Sequence, residues 1–118
     1  MPLKVYAYKN CDTCRKSKKW LDSEGIAYTE IPIREQPPTK AECKRMLSYM
    51  DGNLRKLFNT AGGDYREMGL KDTLPSMGEA EAITLLTENG NLVKRPFVIS
   101  KDSGTVGFDA ARWAELFG

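Results

Sequence analysis

The sequence predicts one small domain of mixed α/β class, and two observations carry that prediction. The chain has 118 residues, of which 41% are hydrophobic and 29% are charged, which is typical of a folded protein with one core. Its strand and helix patterns follow the order β-α-β, then a helical segment over about residues 38–92, then β-β-α. We therefore expect a single α/β domain over residues 1–118.

The first third of the sequence predicts a strand, a helix and a second strand. Residues 3–8 are rich in aromatic and β-branched side chains, as in a strand, and residues 13–24 favour a helix that ends at Gly25. A second strand is expected over residues 26–33. Pro32 has no N–H to donate to a neighbouring strand, so this strand should lie at a sheet edge or end near Pro32.

Two capping-box spacings mark helix starts in the middle of the chain. Thr39 with Glu42, and Ser76 with Glu79, each place a hydroxyl three residues before a carboxylate, the pattern that satisfies free amides at a helix start. The first of these helices should end at Asp51-Gly52. Further along, residues 97–99 and 105–108 predict a hairpin, and Asp109 predicts the cap of a closing helix.

Composition excludes several classes of function. The net charge of +2 is too small to indicate nucleic-acid binding. With no histidine, Ser-His and Cys-His catalytic pairs and imidazole zinc sites are excluded, and three cysteines cannot supply four zinc ligands. No segment approaches the roughly 20 apolar residues of a membrane span, and the first residues lack an apolar signal core. We expect a cytoplasmic protein with no metal, nucleic-acid or membrane partner.

Cys11 and Cys14 form a Cys-x-x-Cys motif between a predicted strand and a basic helix, a context typical of redox-active thiols. The amino end of a helix and nearby basic side chains favour the thiolate, which is the reactive form. Cys11, nearer the loop, is expected to be the exposed nucleophile, and Cys14, in the first turn, the resolving thiol. Cysteines that only pack, or half of a zinc site, are the alternatives.

Arg95-Pro96 precedes the hairpin. A proline there can adopt the cis bond, which costs little before proline, and such a bend would bring the backbone beside the cysteine loop. Arg95 could then offer a bidentate guanidinium to an oxyanion. The alternative is an ordinary solvated arginine before a strand.

Other conspicuous residues are better explained by structure than by function. Cys43 lies on an apolar helix stripe and is expected to be buried packing, since free cysteine behaves as a small hydrophobe. The two tryptophans, Trp20 and Trp113, are expected in the core. Three basic residues on the Cys43 helix predict a solvated face rather than a binding patch: Lys40, Lys44 and Arg45.

Two segments and the order of the elements resemble the ArsC/Spx family. The segments are Tyr8-Lys9-Asn10-Cys11-Asp12-Thr13-Cys14-Arg15-Lys16 and Lys94-Arg95-Pro96-Phe97. Residues 35–39, 57–62 and 65–70 resemble its linker and insert, so the likeness covers essentially the whole chain. It implies a thioredoxin-like fold with a mixed sheet and a cis proline at Pro96. In the glutaredoxin-linked arsenate reductases of the family, one cysteine attacks arsenate and three arginines hold the anion. The implied site has Cys11 as nucleophile, Cys14 as resolving thiol and Arg95 as an anion contact, with substrate or thiol binding by Asn10, Thr13, Arg15 and Pro96.

The sequence departs from the arsenate reductase pattern at two positions. The arginine of the insert falls on Asn59, and the arginine after the hairpin falls near Phe108-Asp109, so only Arg95 of the three is kept. Weak or no activity on arsenate is therefore expected. Cys14 is shared with Spx-type regulators, whose disulfide controls binding to RNA polymerase, and Gly52 falls where such a regulator contacts the polymerase α-subunit. A glycine after Asp51 is also an ordinary helix stop.

Two functional hypotheses follow. The first is a thiol–disulfide oxidoreductase, most similar to the uncharacterised arsenate-reductase-like branch, with no bound cofactor and with glutathione and glutaredoxin, or thioredoxin, as reductant. Its substrate would be a small thiol, an oxyanion or a redox partner protein. The second is an Spx-like redox sensor that binds the RNA polymerase α-subunit. A thioredoxin-fold protein with neither role is the third interpretation.

Overall fold

A computed structural model describes residues 3–118 as a four-stranded mixed sheet with helices on both faces. The strands are β1 (Leu3–Ala7), β2 (Tyr28–Pro32), β3 (Phe97–Ile99) and β4 (Gly104–Val106). Their spatial order is β2-β1-β3-β4. β1 pairs parallel to β2 and antiparallel to β3, and β4 is antiparallel to β3. β2 lies at the edge and ends at Pro32, as the proline predicted.

The helices are α1 (Asp12–Ser23), α2 (Lys40–Tyr49), α3 (Gly63–Glu67), α4 (Leu70–Thr73), α5 (Glu79–Glu88) and α6 (Ala110–Phe117). Short 3₁₀ turns occupy Leu54–Leu57, Leu74–Ser76 and Gly90–Leu92. All elements from α2 to the last 3₁₀ turn lie between β2 and β3 in sequence. Within residues 3–118, no helix has the length and apolar character needed to cross a membrane.

Alternating side chains of the strands form two cores, one on each face of the sheet. Leu3, Val5 and Ala7 of β1 face a core shared with Cys14, Leu21 and Trp113 of α1 and α6. Tyr6, between them in sequence, faces the larger core. That core is built from α2, α5 and the short elements around them, so α1 and α6 cover one face of the sheet while the segment between β2 and β3 covers the other.

One of the two predicted capping boxes is present. At α2 the Thr39 hydroxyl accepts the Glu42 amide and the Glu42 carboxylate accepts the Thr39 amide. The Ser76–Glu79 prediction is wrong. Ser76 belongs to a 3₁₀ turn that contains Pro75. Gly78, whose backbone is extended, is the N-cap residue of α5 and provides no side-chain cap. Pro75 suits a first turn because it has no N–H to satisfy, and this turn takes Ser76 out of the capping position.

Candidate functional site

The sheet topology brings three separate segments to one edge. β1 and β2 run parallel, so the loops that follow both strands leave at the same side. β3 runs antiparallel to β1, so the residues before β3 meet that side as well. The cysteine loop after β1, the segment after β2 and Arg95-Pro96 before β3 therefore converge. The Arg95–Pro96 bond is cis, and the predicted cis proline is confirmed.

Cys11 is the N-cap residue of α1, and its sulfur serves as the capping acceptor. Its backbone is extended, with φ −99° and ψ 119°, and its amide donates to the Tyr8 carbonyl over 3.1 Å. The amide of Cys14 donates to Cys11 Sγ over 3.4 Å. The Cys11 side chain is half-buried, whereas Cys14 is fully buried. One helical turn thus places an accessible sulfur over a buried one.

Burial is the main influence on the buried thiol and raises the pKa of Cys14 to about 12. The neighbouring Cys11 sulfur acts in the same direction, through a hydrogen bond and through its charge. A hydrogen bond from the Tyr8 backbone and the positive charge of Arg95 oppose this rise. Arg95 therefore lies close enough to the cysteine pair to act on it electrostatically, although it follows Cys14 by most of the chain length.

Arg95 lies against the aromatic ring of Tyr8. Its guanidinium carbon is 5.2 Å from the ring centroid, a cation–π distance. Pro96 is buried, and its carbonyl accepts the Gly107 amide over 2.9 Å, which anchors this segment to the end of β4. The structure thus places Arg95 and Pro96 beside the cysteine loop rather than in open solvent.

Tyr8 and Arg34 also belong to this site, although the sequence pattern did not predict them there. Arg34 has its guanidinium carbon 4.8 Å from the Tyr8 ring centroid, and its Nη1 donates to the Tyr8 hydroxyl over 2.9 Å. The parallel pairing of β1 and β2 would have indicated this proximity. Ala7 pairs with Pro32, so the residues just after both strands become neighbours. Asn10 joins them, since its Nδ2 donates to the same hydroxyl over 3.2 Å.

Two other predicted site residues lie at the surface of α1. Thr13 is exposed in its first turn. Arg15 is also exposed, and its guanidinium donates to the Lys9 carbonyl over 3.1 Å and pairs with Asp12. These contacts hold Arg15 against the loop backbone and use part of its donor capacity.

The resemblance places two missing arginines at Asn59 and near Phe108-Asp109, and these residues make structural contacts here. The half-buried Asn59 follows Phe58, and its backbone N–H donates to the Leu92 carbonyl over 2.7 Å. Phe108 packs edge-on to Trp113, with ring centroids 5.0 Å apart. Asp109 caps α6 by accepting backbone amides.

The third cysteine lies elsewhere. Cys43 is fully buried in the larger core, on the opposite face of the sheet from Cys14. Burial, with a smaller effect of the Glu42 charge, raises the pKa of Cys43 to about 12. The prediction that Cys43 is a packing residue is confirmed. Trp113 is likewise fully buried, while Trp20 packs partly buried against it.

Comparisons with known proteins agree with this fold. A model of the ArsC family matches residues 6–116. An uncharacterised Bacillus subtilis protein, YusI, is 44% identical over 115 residues, covering 98% of both chains. The crystal structure of an ArsC family related protein from Bacteroides fragilis has a TM-score of 0.92 at 40% identity, again covering 98% of each chain. More distant relatives include an arsenate reductase of Rhizobium meliloti, 28% identical over 85% of this chain and 70% of its own.

Proposed function

Because this chain belongs to the ArsC family, we propose that it is a thiol–disulfide oxidoreductase in which Cys11 attacks the substrate and Cys14 resolves the product. The observation that carries the proposal is the asymmetry of the cysteine pair. Cys11 is accessible at the start of α1 and receives an amide hydrogen bond, whereas Cys14 is fully buried one turn later. A partly accessible attacking thiol beside a buried second thiol is the arrangement that two-step exchange requires.

In the first step the Cys11 thiolate attacks one sulfur of a substrate disulfide. A new S–S bond forms between Cys11 and that sulfur, the substrate S–S bond breaks, and the other half leaves as a thiolate. The Cys14 amide, in the first turn of α1, donates a hydrogen bond to the attacking Cys11 sulfur.

In the second step Cys14 loses its proton to solvent and attacks Cys11, which releases the remaining substrate half as a thiolate. Two electrons have then passed from the protein to the substrate, and Cys11–Cys14 is a disulfide. Formation of the mixed disulfide removes the Cys11 thiolate, one of the two influences that raise the pKa of Cys14, while Arg95 and the Tyr8 backbone continue to lower it. The Cys14 thiol therefore ionises more readily in the mixed disulfide, where it is the attacking group.

We propose glutathione with glutaredoxin, or thioredoxin, as the reductant that restores both thiols. Such a cycle fits a reducing compartment such as the cytoplasm and requires no bound cofactor. Arg95 would hold an anionic group of the substrate beside the cysteines, whether that group belongs to a small thiol, an oxyanion or a partner protein.

Trapping tests the proposal. In a Cys14→Ser variant the mixed disulfide on Cys11 cannot be resolved, so a substrate or partner should accumulate covalently and be released by dithiothreitol. A Cys11→Ser variant, with Cys14 intact, is the matched control and should trap nothing. Equal adducts on both variants, or none on Cys14→Ser while the wild-type chain turns over disulfides, would contradict the assignment of Cys11 and Cys14.

A regulatory role is the second candidate, because a regulatory protein of Bacillus subtilis, MgsR, is 26% identical over 97% of this chain. In this version the Cys11–Cys14 disulfide would be a sensor, the segment between β2 and β3 would carry the partner surface, and the RNA polymerase α-subunit would be the partner. Capture of purified α-subunit that depends on the oxidation state of the chain supports it. Catalytic turnover with glutathione or thioredoxin, without such capture, supports the enzyme.

A further inference from the structure

Two guanidinium groups lie within cation–π distance of the Tyr8 ring, in the loop that carries the cysteine pair. The guanidinium carbons of Arg34 and Arg95 lie 4.8 and 5.2 Å from its centroid. The ring belongs to the residue directly after β1, so it is held by the central part of the sheet. We term these three side chains, Arg34, Tyr8 and Arg95, the clamp.

Neither arginine of the clamp is neutralised by an ion pair. The four ion pairs within residues 3–118 involve other cations: Lys4, Arg15, Lys18 and Arg112. Asp64 is near enough for Arg34 to lower its pKa, but hydrogen bonds from Asn89 and Asn91 have the larger effect on that pKa and occupy the Asp64 carboxylate. Three charged residues line a pocket next to Tyr8: Lys9, Glu30 and Glu35. Of the two carboxylates, Glu30 is paired with Lys18, and neither forms an ion pair with Arg34 or Arg95. The clamp therefore keeps excess positive charge.

The Tyr8 hydroxyl adds a directed donor. Its oxygen accepts from Arg34 and Asn10, which uses both of its lone pairs. Within the described part of the chain no acceptor lies within hydrogen-bonding distance of its proton. The clamp thus offers an O–H donor beside two planar cations, and planar guanidinium groups bind carboxylates with two parallel hydrogen bonds.

We infer that the clamp selects disulfides that carry a carboxylate close to the reacting sulfur, and that Arg34 and Tyr8 are specificity-determining residues beside Arg95. The inference rests on the proposed function, because it assigns the substrate class of the same exchange reaction. Arg34 and Arg95 would contact the carboxylate, and Tyr8 would both donate to it and position the two arginines.

Two small disulfides of different charge provide the test. The reduced full-length chain is mixed with 5,5′-dithiobis(2-nitrobenzoate), which carries a carboxylate on each half, or with 4,4′-dithiodipyridine, which is neutral at pH 7. Stopped-flow absorbance gives the second-order rate constant for each, and the ratio of the anionic to the neutral rate is the readout. A general change in folding or thiol reactivity cancels in this ratio.

Arg34→Gln should lower the ratio about three- to fivefold, the factor expected for one exposed charge-assisted contact. Tyr8→Leu, which removes both ring and hydroxyl, should lower it at least as far, and Tyr8→Phe, which keeps the ring, should lower it less. Lys101→Gln is the matched control. This variant also removes one positive charge. Lys101 follows β3, so it lies at the ends of the strands opposite to the cysteine loop. The rate ratio of this variant should equal that of the wild-type chain.

The outcomes separate the two proposals. If Arg34→Gln and Lys101→Gln give the same ratio while both disulfides react, the clamp inference is overturned and the exchange function stands. If the folded wild-type chain reacts with neither disulfide, the exchange function fails and the clamp inference fails with it. The clamp inference is supported if Arg34→Gln lowers the ratio of the anionic to the neutral rate. It also requires that the difference between Arg34→Gln and Lys101→Gln vanishes at 1 M salt.

Discussion

Tyr6 and Glu42 are joined by a buried hydrogen bond in which the Tyr6 hydroxyl donates to Glu42 Oε1 over 2.6 Å. The bond links the central strand β1 to α2. The Glu42 carboxylate also accepts from the Thr39 amide over 3.0 Å and from Lys4 Nζ over 3.1 Å. Burial by itself would raise the pKa of Glu42, but these hydrogen bonds outweigh it, so the net pKa is lowered. Glu42 is therefore held as a buried anion.

The first prediction concerns the loss of that anion. Glu42→Gln should destabilise the fold by about 1–3 kcal/mol at pH 7, because buried donors lose a charged acceptor. Because the folded-state pKa is lowered, this contribution is fully present above the ordinary glutamate value of 4.5 and is lost as pH falls through the folded-state pKa. Urea unfolding at pH 7 and pH 3 measures it. The exposed Glu67→Gln is the control, and an equal loss at both pH values would contradict this explanation.

The second prediction concerns which cysteines react. Mild oxidation should join Cys11 to Cys14 and leave Cys43 reduced, since Cys43 lies in the core on the other face of the sheet. In the reduced chain at pH 8, iodoacetamide should label Cys11 first, because burial and the raised pKa of about 12 keep Cys14 protonated. Labelling of Cys14 should then rise as the pH increases, to the limit set by unfolding. Peptide mapping by mass spectrometry reads both results, and a dominant bridge to Cys43 would contradict them.

The third prediction concerns Gly52, which follows the end of α2. Gly52 has φ +78°, and its amide donates to the Leu47 carbonyl over 2.9 Å, as expected of a glycine that ends a helix. Gly52→Ala should cost about 1–2 kcal/mol because left-handed backbone is unfavourable for a residue with Cβ. Gly63→Ala is the control: Gly63 begins α3 at negative φ with open space where a Cβ would lie, so alanine should be neutral or stabilising. Equal stability of the two variants would show that Gly52 is not needed for the turn.

The sequence predicted what local patterns determine. Hydrophobic periodicity and caps such as Thr39 and Asp109 identified helices, and Cys11 and Cys14 were placed correctly because a motif four residues long is local. The Ser76 cap failed because Pro75 had already formed a different turn.

The clamp was missed for a different reason. Tyr8 and Arg34 are 26 residues apart and become neighbours only through the parallel register of β1 and β2. The sequence pattern within a single strand or helix carries no information on that register. Pairing the strand ends first, and then comparing the residues that follow each end, would have found them.

The last prediction is that arsenate is a poor substrate. A doubly charged oxyanion needs several charge-assisted contacts, and the side chains at two of the family's three arginine positions are Asn59 and the Phe108-Asp109 pair. Losing two contacts of about 1.5–3 kcal/mol each would weaken binding by about two to four powers of ten. Arg34 restores at most part of the lost binding energy, since it is exposed and shares its donors with the Tyr8 hydroxyl.

Arsenate-dependent NADPH consumption, coupled through glutathione and glutaredoxin, should therefore be near background. Asn59→Arg should raise it, while Asn53→Arg, which adds the same charge at an exposed position outside the site, should not. Turnover by the unmodified chain equal to that of a three-arginine family member would show that Arg95 and Arg34 suffice.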